Sequence, residues 1–476
     1  MKIYCNSNSI INKTNDNNVS TLLELTHETV TPEQYGAIGD GVTDNYIAFS
    51  NMIDYVNSIG GAIIKFGESK NYKIDRYIGD GLEPIAKPLE FKKLSFLNII
   101  GNNSKITIKG DFQMTKGSEF GGYYRSNEKT IIISILRSNN IRITNLEIDG
   151  QGDLMTFEDG INGEQNANSG LHIGGCKNVF FNNVYVHGYS CDALMLGESE
   201  GNDTGKWIKY TGANIKLNNC RFEYASRNAM SLGCVQNVEF NDCIFGYAGD
   251  NGNGNIGYSP GLAVDIEPDF GAGSGYECDT NDIRFNRCTF KECNGGLLAI
   301  PMTYVSNVYF NDCDFIDNIK SKTYVISCSG HNIHIKNSRI KMYNTMYFDR
   351  LSTMGTIYFE NNDIDVINTS LITCTSDSKS PVYMISNNIN LRAEFDSPNP
   401  LPIYCSSNIL IFKNNNVFCS DTLYETKLFL RGCRECSGNI YTTDRTTGNK
   451  FGVYYKWARK VENETYGYYI TGYLET

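Results

Sequence analysis

Apolar and polar positions alternate along most of this chain, and between Asn214 and Phe315 they do so in four near-copies of one line. The copies are Ile215-Lys-Leu-Asn-Asn-Cys220-Arg-Phe222, Val238-Glu-Phe-Asn-Asp-Cys243-Ile-Phe245, Ile283-Arg-Phe-Asn-Arg-Cys288-Thr-Phe290 and Val308-Tyr-Phe-Asn-Asp-Cys313-Asp-Phe315. Alternation with a period of two places one set of side chains on one face of a strand. The polar pair that interrupts it predicts a bend, because Asn and Asp tolerate left-handed backbone and bond their own main chain. A strand, bend and strand unit that recurs predicts a solenoid.

The same offsets continue on both sides of that stretch, with apolar residues at 0, +2 and +7 in rungs opening at Ile141, Val179, Ile333, Ile357, Val382 and Leu410. The +5 position changes from Leu146 and Val184, through the four cysteines, to Ser338 and then Asn362, Asn387 and Asn415. An asparagine column predicts an internal amide ladder, each side chain bonding the next rung. Most rungs recur every 23–28 residues, one turn of a β-helix; a propeller blade needs about 40. Three longer intervals shed Gly150–Ser169, Glu198–Tyr210 and Gly246–Asp282 as loops, where binding sites form. Rungs about 4.8 Å apart predict a rod on the order of 45 Å.

Length alone, 476 residues, suggests about three domains, but a solenoid grows as one core. The expected organisation is an N-terminal arm over residues 1–30, a capped β-helix over 31–438, and a Tyr-rich tail over 439–476 that lacks the rung pattern and serves as a β cap or oligomer contact. A net charge of -11 argues against nucleic acid and anionic membrane surfaces as partners. No run approaches the ~20 apolar residues of a membrane span, and the first residues lack the apolar core of a secretory signal. Of 16 cysteines, four share one repeat column, which predicts reduced, buried, structural thiols and a reducing compartment of synthesis. Cys433 and Cys436 have metal-ligand spacing without a second pair nearby, so no zinc site is expected.

Ahead of the rungs, Gly39-Asp40-Gly41 forms a tight loop, and Thr43 or Asp44 caps a helix whose apolar residues Ile47, Ala48, Met52, Ile53 and Val56 recur near helical spacing. Gly60-Gly61 stops it before a strand at Ala62–Phe66. With Tyr35-Gly36-Ala37, Gly39-Asp40-Gly41 and Asp44 in these positions, the stretch resembles the opening of pectate-lyase-superfamily right-handed parallel β-helices. In that family the helix closes the open end of the solenoid. The departure is Phe66–Tyr72, which replaces the usual Pro-Ala-Gly-x-Tyr.

Candidate chemistry gathers at Val264-Asp265-Ile266-Glu267-Pro268-Asp269. If Val264 and Ile266 point inward, Asp265 and Glu267 share the outer face about 6.5–7 Å apart, a separation suited to the acid and the base or nucleophile of glycoside hydrolysis. The segment also resembles the "GIDIEP" element of phage-associated members of the superfamily, where it follows a rung such as Arg227-Asn228-Ala-Met-Ser-Leu232. Asp192, in Cys191-Asp192-Ala-Leu194, is similar to the "gDGi.i" element of polysaccharide-active β-helices; it shares offset +13 with Asn228 and Gly296, and so joins the same wall. Asp265, Glu267 and Asp192 are therefore the catalytic candidates, with Arg227, Asn228 and Asp269 as substrate-binding candidates. His172 and His187 flank a strand that approaches the Asp192 wall.

The polygalacturonase motifs are absent, and no pectate-lyase calcium cluster is evident, although a structural or catalytic Ca2+ is compatible with the acidic loops. The resemblance implies a trimeric tailspike-type virion protein that binds, and hydrolyses, a cell-surface polysaccharide. The alternatives are a polysaccharide lyase, a non-catalytic adhesin or structural spike, and a bacterial carbohydrate-active enzyme exported by another route.

Overall fold

The computed structural model describes the chain from residue 27 onward, except residues 79–86, 121–122, 159–168, 202–207, 250–259, 269–279, 303, 320, 322–323, 349–355, 375–380, 393–402, 406–409, 421–426, 432, 447–450, 457, 468–469 and 476. The rungs wind into a right-handed parallel β-helix with three sheet faces. Face A holds strands such as Gly212–Asn218, Val235–Asn241, Thr280–Asn286 and Val305–Asn311. Face B follows each of these after the bend, as in Arg221–Ala225, Ile244–Gly246, Thr289–Lys291 and Asp314–Ile316. Face C is a separate 14-stranded sheet that includes Leu194–Gly197, Met230–Leu232, Leu262–Ile266 and Gly296–Ile300. Register follows the repeat: Val238, Ile283 and Val308 are lateral neighbours, as are Phe245, Phe290 and Phe315.

The bend between faces A and B falls on the +4 residue, which is left-handed in rung after rung: Asn219, Asp242, Arg287, Asp312, Asn337 and Asn361 all have φ between 51° and 57°. Asparagine and aspartate reach this region most readily, which is why the polar pair recurs. Inside, Phe240, Phe285 and Phe310 stack with ring centroids 4.6 and 4.8 Å apart, beside a second pile of Phe245, Phe290 and Phe315.

The +5 column solves a polar problem in this core. Its side chain reaches the +2 carbonyl of the preceding rung: Cys243 Sγ donates to Leu217 O, Cys288 to Phe240 O and Cys313 to Phe285 O. Where the residue is asparagine the bond is stronger and spreads. Asn387 Nδ2 donates to Phe359 O and Asn415 Oδ1, both at 3.0 Å, while its Oδ1 accepts the N–H and Nδ2 of Asn362, also at 3.0 Å. All of its donors and acceptors are used, which is what allows a fully buried amide here. The expected ladder is present from Asn362 to Asn439.

At the N-terminal end the helix Tyr46–Ile59 lays Phe49, Met52, Ile53 and Val56 over the open core, and Gly60 ends it in the left-handed region with φ 78°. The cap position is Asn45, not Thr43 or Asp44, and its Oδ1 is taken by Ile38 N and not by a helix N–H; Asp44, one residue earlier, accepts the Tyr46 N–H at 3.0 Å. No helix among the described residues is long and apolar enough to cross a membrane.

Three further expectations need correction. Thr29 and Val30 pair in parallel with Ile63 and Ile64, so face A begins inside the segment read as an arm; residues 1–26 lie outside the described residues. The tail carries rungs after all: Ile440–Thr443 and Phe451–Lys456 stack in parallel on earlier strands, and Tyr441, Val453 and Tyr455 are buried. An irregularity hid them, because Leu410 pairs with Cys433 but Ile411 pairs with Glu435, and the inserted residue shifts every later offset by one. The column cysteines are thiols as expected, whereas Cys433 is bonded to Cys436 and Cys234 is also in a disulfide.

Replacing Asn387 with alanine strips acceptors from Asn362 and donors from Phe359 O and Asn415 in the dry core. We expect a loss of about 3 kcal/mol or more, read as a lower urea midpoint. Asn416→Ala removes a bond to Asn388 on an exposed row of face B and is expected to stay within about 0.5 kcal/mol. Equal losses at the two positions would show that the buried column is not special.

Candidate functional site

Along Leu262–Ile266, Val264 and Ile266 turn into the core and Asp265 turns outward from face C. Its lateral neighbours are Ser231 on one side and Ala299 on the other, with Met195 beyond Ser231. Glu267 lies one residue past the strand's end, yet its N–H still bonds Leu232 O at 3.0 Å, so it keeps register. Two residues beyond Asp265, it emerges on the same side and is exposed.

The residues preceding these strands on face C build a polar network beside that pair. Register brings Asp192, Asn228, Leu262 and Gly296 into line, since Leu194, Met230, Val264 and Leu298 are successive neighbours. Asp192 is fully buried and takes four hydrogen bonds from nitrogen and oxygen donors, Arg227 Nε at 2.7 Å, Arg227 Nη2 at 2.6 Å, Asn228 N at 3.1 Å and Ser231 Oγ at 2.8 Å, with a weaker one from Cys191 Sγ at 3.8 Å. Asn228 joins this network to the acidic pair. Its Nδ2 donates to Asp265 Oδ2 at 3.2 Å and to Ser231 Oγ at 3.1 Å, and its Oδ1 accepts Leu262 N at 2.9 Å.

The charges follow from this packing. Burial pushes the Asp265 carboxyl up to about 7, and the Glu267 charge beside it adds to the rise; Arg227 and the Asn228 bond only partly oppose them. Burial works against the Arg227 charge, but the Asp192 carboxylate outweighs it and holds the guanidinium well above its ordinary value. Four bonds occupy the lone-pair directions of Asp192. Its chemistry is therefore to fix Arg227 and Asn228, while Asp265 and Glu267 present their carboxyl groups on the outer side of face C.

Of the residues expected at the site, Asp192, Arg227, Asn228 and Asp265 form one bonded group with Glu267 adjoining; Asp269 lies outside the described residues. His172 sits on the outward column of Asp265, three rungs earlier, with Nε2 turned toward Gly174 and away from the Asp192 end of its strand. Burial pushes it down to about 4. His187 is on face B with Glu147, at 3.2 Å, and Asp149, at 3.6 Å. That trio is the one grouping with metal-ligand spacing among the described residues, and Lys105 Nζ already lies 3.2 Å from Glu147 and 2.6 Å from Asp149. A lysine of the chain supplies the positive charge there.

Two members of the site were missed. Ser231 was legible as the residue that falls opposite Asp265 once rungs are aligned. Glu198 closes the other flank: its Oε2 accepts Cys234 N at 2.8 Å and lies 2.5 Å from where a side chain at Gly233 would begin. Gly233 follows Leu232, whose carbonyl takes the Glu267 N–H, and without a side chain it leaves room for the Glu198 carboxylate.

No family model matches the chain. Among curated proteins, it is 25% identical over 209 residues to a depolymerase of Klebsiella phage K64-1 described as specific for capsule K30/K69; the match covers 43% of this chain and 22% of that protein's length. Among solved structures it is similar to the A-module of the Azotobacter vinelandii mannuronan C-5 epimerase AlgE4, at 12% identity and TM-score 0.49 over 94% of this chain and 100% of that one. A tailspike of Escherichia coli bacteriophage HK620 gives 11% and 0.48 over 95% and 82%. The tailspike gp49 of Acinetobacter baumannii bacteriophage Fri1, a capsular polysaccharide depolymerase, gives 16% and 0.42 over 78% and 62%.

A carboxyl whose pKa rises on folding contributes stability that is complete below its unfolded value, 3.8, and is lost as pH climbs to about 7. Asp265→Asn is therefore expected to match the parent near pH 4 and to exceed it at pH 8, by up to about 4 kcal/mol. Melting curves at the two pH values check this, and an offset independent of pH would contradict it. Arg227→Met leaves Asp192 buried without its cation and is expected to cost about 3–5 kcal/mol. Adding Asp192→Asn to it should recover part of the loss in the same melts.

Proposed function

We propose that this chain binds a cell-surface polysaccharide and hydrolyses its glycosidic bonds with Asp265 and Glu267, as a virion-borne protein of the tailspike type. The observation that carries the reading is the pairing of a buried, proton-holding Asp265 with an exposed Glu267 on the outer face of a rigid sheet, oriented through Asn228 and Arg227. The curated match to a phage protein described as a capsule depolymerase supports the substrate class.

In this mechanism Asp265 enters with its proton and gives it to the glycosidic oxygen as the C–O bond breaks. Glu267 supplies the opposing carboxylate, taking a proton from the attacking water or attacking the sugar itself. Arg227 is rigid because both of its bonds to Asp192 are made within the core wall, and it steadies the sugar and the charge beside Asp265. A trimer of side-by-side rods completes the proposal. The outward stack Tyr309, His334, Tyr358 and Tyr383 on face A, with centroids 4.4–5.2 Å apart, supplies the aromatic positions that such packing would cover.

The test is incubation with Klebsiella K30 and K69 capsular polysaccharides and a panel of other bacterial capsules and lipopolysaccharides, following chain length by size exclusion. Shortening is expected, falling by roughly 10²-fold or more in Glu267→Gln and Asp265→Asn. The parent rate should decline as pH passes about 7 and Asp265 loses its proton. Retention without shortening would reduce the protein to a binder, and absorbance from unsaturated sugars would replace hydrolysis with elimination.

A further inference from the structure

Face B changes character along the rod. On its earlier rungs the outward charges neutralise one another: Glu223 is fully buried between Arg221, at 2.5 Å, and Lys291, at 3.2 Å. Further along, the same face opens into a groove of about 580 Å³ spanning rungs from Phe315 to Thr442. That volume lies within the range of sites that enclose small ligands. Arg339 is turned toward Asp314 at one end by two bonds of 3.0 and 2.8 Å.

Two outward rows run along the groove. One is Asp363, Asn388 and Asn416, lateral neighbours in which Asn388 Nδ2 donates to Asp363 Oδ1 at 2.8 Å and Asn416 Nδ2 donates to Asn388 Oδ1 at 2.9 Å. The other is Lys341, Asp365, Asn390 and Phe418, in which Asn390 Nδ2 donates to Asp365 Oδ1 at 2.8 Å. These internal bonds orient the side chains and leave functional atoms over. Asp363 Oδ2 takes no hydrogen bond, and Lys341 Nζ faces only the Tyr343 ring, among the described residues. The floor between the rows is the backbone of Ile340, Ile364 and Ile389, whose side chains turn into the core, and Phe418 adds a partly exposed ring.

We propose that this groove is a second carbohydrate site, which holds an extended, hydroxyl-rich stretch of polysaccharide parallel to the rod axis. The reasons are geometric and chemical. Rungs about 4.8 Å apart repeat their acceptors and donors at close to the advance of one hexose along an extended chain. Carboxylate and amide oxygens accept sugar hydroxyls, amide N–H and Lys341 donate to them, and the Phe418 ring offers a face or edge to a sugar's C–H surface. The groove lies on face B and the acidic pair on face C; a polymer long enough to pass from one face to the other would make its second contact intramolecular. This inference rests on the polysaccharide reading above.

The experiment uses the full chain carrying Glu267→Gln, so that polymer is held and not cut, on sensors coated with the Klebsiella K30 and K69 capsular polysaccharides and the same capsule panel. Asp363→Ala with Asp365→Ala, and separately Asn390→Trp to fill the trough, are added to it; melting curves establish that each still folds. Retention at least ten-fold weaker is expected for both, while the same changes in the active protein leave hydrolysis of short oligosaccharides unaltered. Unchanged retention on a polysaccharide that the parent binds overturns the groove alone. A lower molar mass by light scattering in the variants also overturns it, making the groove a contact between copies. Failure of the parent to bind any polysaccharide overturns the functional reading, and the groove with it.

Discussion

Everything in this molecule depends on each rung being bonded to the next in parallel and in register. A parallel ladder satisfies the backbone only laterally, so no rung is complete without its neighbours. The side chains repeat the arrangement. At +5 a thiol or an amide reaches back to the same carbonyl of the preceding rung, and at +2 and +7 phenylalanines stack ring on ring. A one-residue slip would turn an inward column outward, so burial and hydrogen bonding enforce one register together.

That rigidity is what makes the acidic pair chemically distinct. Asp192 and Arg227 are 35 residues apart and meet only because two rungs are stacked. Held from beneath, Arg227 and Asn228 cannot relax away from Asp265, and the buried carboxyl keeps its proton to about neutral pH. On a flexible loop the same residues would be solvated and ordinary.

How much of this was legible follows from what repeats. The strand period, the bend at +4 and the asparagine ladder all recur at fixed offsets, so sequence alone exposed them. The last rungs escaped because a single inserted residue near Cys433 moved the pattern from 0, +2 and +7 to 433, 436 and 441, with tyrosine in place of phenylalanine. At the site, Asp265 and Glu267 could be found from alternation within one strand. The saturation of Asp192, and Glu198 lying over Gly233, depend on side chains from different rungs and have no local signature.

The amide ladder has a direction. In each step the donors of one rung meet the oxygen of the next, from Asn362 through Asn387 and Asn415 to Asn439, whose N–H and Nδ2 both meet Glu464 Oε1. The other carboxyl oxygen of Glu464 accepts the Tyr455 hydroxyl. A carboxylate accepts and has nothing to pass on, so this bond cannot be relayed to a further rung. The series of dipoles is thereby given a terminus in its own chemistry, a negative charge set against the donor end of the column.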